Sequence, residues 1–72
     1  MSENNQLTNE QVDTMEYCLR KAQTLVENAG AIASAVGGEA NSAAWGRLTK
    51  LAENIGEEIC GLYRLRPKGG MA

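Results

Sequence analysis

The chain contains no histidine and no phenylalanine, and only one proline, one tryptophan, two tyrosines and two cysteines among 72 residues. Each scarcity excludes something. Without histidine there is no imidazole to activate a serine or cysteine nucleophile or to complete a zinc site. The two cysteines, Cys18 and Cys60, are too far apart to form a CxxC pair. Two cysteines also cannot form a disulfide scaffold, so they are read as reduced, structurally passive thiols, with a bridge between them as the alternative. Seven basic against nine acidic residues give a net charge of −2. That balance lacks the cationic excess needed to bind a phosphate backbone, so nucleic acid is not expected as a partner. The longest uncharged run, Asn28 to Gly38, is rich in alanine and glycine. It falls well short of the ~20 apolar residues that span a bilayer. No membrane segment is expected, and the polar start MSENNQLTNE does not have the form of a secretory signal. The expectation is a cytoplasmic chain without cofactor, metal or catalytic residues, and not an enzyme.

What is present is helical periodicity. Leu7, Thr8, Gln11 and Val12 carry a helix-start signal: Thr8 and Gln11 as a capping box, Leu7 and Val12 as a hydrophobic staple. Glu10 and Asp13 add negative charge at the end of the helix where the dipole favours it. From there Val12, Met15, Leu19, Ala22, Val26, Ala29, Ala33 and Val36 recur at spacings of 3, 4, 3, 4, 3, 4 and 3. Such a pattern predicts a heptad seam along one helix face. Cys18, Leu25 and Ile32 form a flanking column, and Asp13, Glu16, Arg20, Lys21, Gln23, Glu27 and Asn28 are read as the solvent side. Gly30 is the weak point of this helix, which the pair Gly37 and Gly38 then ends.

The pattern returns as Trp45, Leu48, Ala52, Ile55, Ile59 and Leu62, flanked by Ala44, Leu51 and Leu65. Glu39 falls in the first turn of this second helix if the loop is only the two glycines; with a longer loop, Asn41 or Ser42 is the N-cap. Pro67 closes it. The organisation predicted is a polar lead over 1–7, a helical hairpin over 8–66 with helices at about 9–36 and 40–65, and a loose tail over 67–72. The fold class is all-α, an antiparallel two-helix hairpin. Folding about the glycines pairs large residues with small ones: Trp45 near Ala33, Leu48 near Ala29, Ile55 near Ala22, and Ala52 near Leu25 or Val26. It also sets the acidic start (Glu3, Glu10, Asp13, Glu16) beside the basic end (Arg64, Arg66, Lys68).

Each helix carries an apolar stripe wider than one partner helix covers. The expected remedy is a homodimer in which two hairpins make a four-helix bundle, with Trp45, Leu48, Leu51, Ile55, Leu25 and Ile32 contributing to the shared core. Glu58 interrupts the flanking column of the second helix, where Arg20 or Lys21 is its expected ion-pair partner. Tyr17, Tyr63, Arg64 and Arg66, near the open end of the hairpin, have the composition of a protein-binding hot spot. The segments TMEYCLRKAQTLVENAGAIASAV and LTKLAENIGEEICGLY around the GG turn resemble the short helical-hairpin proteins of unknown function found in proteobacteria and their prophages. That resemblance implies an accessory protein that binds and modulates a host protein complex, and it supplies no site residues. The leading expectation is a non-enzymatic protein–protein interaction module. One alternative is a small-ligand or nucleotide-binding bundle using Trp45, Arg47 and Lys50; another is a structural or antitoxin-like subunit.

Overall fold

The computed structural model describes residues 6–67 and is a helical hairpin. The first helix, α1, spans Asn9–Val36, and the second, α2, spans Glu39–Gly61 and runs on into a 3-10 turn at Leu62–Leu65. Among the described residues there is no strand. Glu3, Lys68 and the rest of the KGGMA tail lie outside them.

Each boundary has a local cause. Thr8 is the N-cap of α1: its Oγ1 accepts the Gln11 N–H at 3.0 Å, and its own N–H donates to Gln11 Oε1 at 2.9 Å. Two backbone donors that the first turn leaves free are thereby satisfied. At the other end Gly37 (φ 80°) and Gly38 (φ 94°) take backbone conformations that favour glycine, and the Gly37 N–H closes the helix on the Ala33 carbonyl at 3.2 Å. These two residues are the whole loop. α2 therefore begins at Glu39, and Asn41 turns back to donate to the Gly37 carbonyl at 2.8 Å instead of serving as N-cap. Arg66 is extended, as a residue before proline must be, so the helical path stops there.

So short a loop fixes the register, and three contacts record it. Trp45 and Leu48 lie against Gly30, the Gln23 amide donates to the Ala52 carbonyl at 3.0 Å, and Arg66 pairs with Asp13. The levels agree with folding about the glycines to within a turn, but the facing residues differ from expectation. In α1 the buried or half-buried positions are Val12, Glu16, Leu19, Ala22, Gln23, Val26, Gly30 and Ala33, and the C-cap Gly37 is half-buried beyond them. Met15, Ala29 and Val36, expected on the seam, are exposed; so is Trp45, at 46%, while Ala44 is half-buried.

The physical reason is polar pairing across the hairpin. Leu48 and Trp45 lie over Gly30 with room left for a Cβ at contact distance. Gln23 reaches a carbonyl of α2, and Glu16 lies 3.9 Å from Arg66. Those three positions recur at intervals of seven, and together they turn α1 by about half a residue from the most hydrophobic seam, with Val12, Leu19, Val26 and Ala33 common to both. Gly30 thus lies at a packing site within an uninterrupted helix.

A Cβ at Gly30 would lie 3.5 Å from Trp45 Cδ1 and 3.6 Å from Leu48 Cβ, ordinary contact distances. Gly30→Ala is therefore expected to stabilise the hairpin by about 0.5–1 kcal/mol through helix propensity and a stiffer unfolded chain. Gly30→Leu would force its further carbons into those two side chains and cost about 1–3 kcal/mol. Urea midpoints of the two variants, moving in opposite directions, check both statements.

Candidate interaction surface

The rotation of α1 decides which residues are left outside. Each of Met15, Cys18, Ala22, Leu25, Ala29, Ile32 and Val36 immediately precedes a residue that faces α2, and together they form a second heptad column beside the contact column. In α2 the residues preceding contact positions include Arg47, Leu51, Asn54, Glu58 and Gly61, and in the 3-10 turn Leu65. The helices are antiparallel and face one another, so an offset of the same sign falls on the same side of the hairpin in both. The opposite side demonstrates the rule: the groove there is lined by Glu27, Ala31, Trp45, Thr49 and Glu53, each of which follows a contact residue.

The hairpin therefore has two unlike faces. One is apolar, with Leu25 61%, Ile32 68% and Val36 72% exposed, and with Met15, Leu51 and Leu65 also open to solvent. Its only charged residues are Arg47 and Glu58, and neither forms an ion pair among the described residues. Of the anchors expected for a shared core, Leu25, Ile32 and Leu51 stand on this face, Leu48 and Ile55 are half-buried between the helices, and Trp45 belongs to the other side. Contiguous exposed aliphatic surface of this kind is rare on a monomeric protein and marks a place where another surface docks. The two thiols separate in the same way. Both are free and exposed, Cys18 on the apolar face and Cys60, which follows Ile59, on the polar one.

The polar face carries the groove and the ionic residues. Trp45 is flanked there by the carboxylates of Glu27 and Glu53, while Arg47 and Lys50 do not line the groove. A nucleotide-like anion would meet two negative charges beside the indole, so this arrangement disfavours the anion site expected around Trp45, Arg47 and Lys50. Among the described residues no group of three or more acidic or cysteine side chains is placed to hold a metal ion, and no helix is long and apolar enough to cross a membrane.

At the open end Arg66 is committed to the hairpin itself. Its guanidinium donates to Asp13, lies 3.5 Å from Asn9 Oδ1 and also faces Glu16. The hydrogen bond that Arg66 donates to Asp13 raises the Arg66 pKa above its ordinary value. Glu16 is shared: Arg20 Nε donates to it at 2.8 Å, and that hydrogen bond is the first cause of the raised pKa of Arg20, with Tyr63 adding to it. The expected pairing of Arg20 or Lys21 with Glu58 does not form, because Glu58 precedes a contact residue whereas Arg20 follows one, which puts them on opposite sides. Tyr17 stands under Lys21, whose Nζ is 5.5 Å from the ring centroid and 3.4 Å from the hydroxyl. Arg64 is exposed. The four residues expected to form a hot spot are thus divided: Tyr63 and Arg66 share the network with Arg20, while Tyr17 and Lys21 make a separate pair.

With this geometry the chain stands apart. No family model, no curated protein and no solved structure matches it.

Proposed function

We propose that the protein is a non-enzymatic interaction module that works through the apolar face of the hairpin. One observation carries this reading: a heptad column of α1 exposes Met15, Leu25, Ile32 and Val36 to solvent, with only Ala22 of the column half-buried. Helices recognise one another through columns of this spacing, so the surface is shaped to receive another helix. The polar face, with its carboxylates beside Trp45, and the open end, where Arg66 is held by Asp13, offer no comparable area of apolar surface.

A capture assay tests this against the open-end site. The immobilised chain is offered its own soluble copy and, separately, a cell lysate. The wild type and a Tyr63→Ala, Arg64→Glu variant are expected to retain the same protein, whereas a Leu25→Glu, Ile32→Glu variant retains none of it. Loss of binding in the open-end variant alone would overturn the assignment to the apolar face.

A further inference from the structure

Resting on that reading, we propose that the occupant of the apolar face is a second copy of this chain, docked antiparallel about a two-fold axis that passes beside Leu25 and Leu51. The product is a four-helix bundle with the loops at opposite ends.

The column on α1 is its own complement. A two-fold axis at Leu25 sets Leu25 against its copy, Ala22 against Ala29, Cys18 against Ile32 and Met15 against Val36, so the central leucines are flanked by small alanine pairs and then by larger apolar ones. The hairpin register independently brings α2 to the same centre. Gln23 touches Ala52 and Gly56, which makes Leu51 level with Leu25, and one axis then serves both helices.

Charge selects this arrangement over the other two-fold. With the axis at Leu51, Glu58 of one copy comes within about one turn of Arg47 of the other, at both ends of the α2 pair, so the two charges that interrupt the face neutralise each other. An axis parallel to the helices would instead lay α1 across the partner's α2. Glu58 would then face Cys18, and Arg47 would face the stretch from Ala29 to Ile32, leaving both charges against apolar surface. The area is also of the right size. Met15, Leu25, Ile32, Val36, Leu51 and Leu65 together expose on the order of 600 Å², before the small residues between them are counted, against the ~800 Å² per partner of a standard interface.

The test is disulfide trapping in a Cys18→Ser, Cys60→Ser background, with helicity checked by circular dichroism; Leu25 is exposed in the hairpin, so its replacement leaves the fold intact. A bridge needs Cβ atoms within about 4.5 Å, which only a residue beside the axis satisfies with its own copy. Under mild oxidation Leu25→Cys is expected to convert mostly to a covalent dimer, and Tyr17→Cys, on the far side of α1, to remain monomeric. If Leu25→Cys bridges only to a differently tagged Leu51→Cys chain, the antiparallel geometry is overturned while the face remains an interface. If none of these bridges form and the wild-type chain sediments at 7.7 kDa, the second copy is overturned. The reading of the face as a docking surface then stands or falls on the lysate arm of the capture assay.

Discussion

Val12→Asp is expected to abolish the folded state. Among the described residues Val12 is the only side chain removed completely from solvent, at 0% exposure, and it lies between the capping box and the Arg66 network that joins α1 to the end of α2. A core of this size supplies no more than ~3–5 kcal/mol. Replacing the isopropyl group with a carboxylate loses the transfer free energy of Val12, about 1.5 kcal/mol or more, and adds the larger cost of burying a charge with no cation free to meet it. The nearest base, Arg66, is already engaged by Asp13 and Glu16. Far-ultraviolet ellipticity at room temperature should fall to that of an unfolded chain. Val12→Ala, which removes only apolar carbons, should remain helical with a lower melting temperature.

Leu25→Glu combined with Ile32→Glu is expected to have the opposite profile: an intact hairpin that no longer associates. Both positions are mostly solvent-exposed in the hairpin, and glutamate is a good helix former, so each substitution should alter hairpin stability by no more than ~0.5 kcal/mol. In the paired state the same changes place four carboxylates in an interface whose only cation on each copy is Arg47. A weakening of at least ~100-fold is expected, equivalent to about 2.8 kcal/mol. Sedimentation velocity across a dilution series measures it, with circular dichroism as the control for folding.

Much of the fold is legible in the sequence because it depends on local signals. Thr8 and Gln11 mark the start of α1, Gly37 and Gly38 its end, and Pro67 the end of the helical path. Each works through a backbone donor or dihedral angle that a single residue type decides. The register follows too, since a two-glycine loop leaves little freedom in how the helices align. The rotation of α1 about its own axis is not legible from hydrophobicity. Met15, Ala29 and Val36 outrank Glu16, Gln23 and Gly30 on any apolar scale, yet the second set faces α2 because Gln23 and Glu16 have polar partners across the hairpin and Gly30 lies under Leu48 and Trp45. The signal that would have revealed it is the regular recurrence of polar and glycine residues at Glu16, Gln23, Gly30 and Gly37. A heptad column of that composition suits close packing as well as solvent. The same rotation decides the interaction surface: it turns Leu25 and Ile32 outward and sends Glu58 and Arg20 to opposite faces.

The positions of the two native thiols allow the central claim, that the apolar face is a covered working surface, to be measured without any mutation. In the hairpin alone both are exposed, Cys18 within the apolar column and Cys60 on the far side. Maleimide labelling resolved by peptide mass should show Cys18 reacting more slowly as protein concentration rises from about 0.1 to 100 µM, by ~10-fold or more, because mass action closes the face, while Cys60 keeps a constant rate. Equal and concentration-independent labelling of both thiols, or protection of Cys60 with Cys18 left open, would contradict the account.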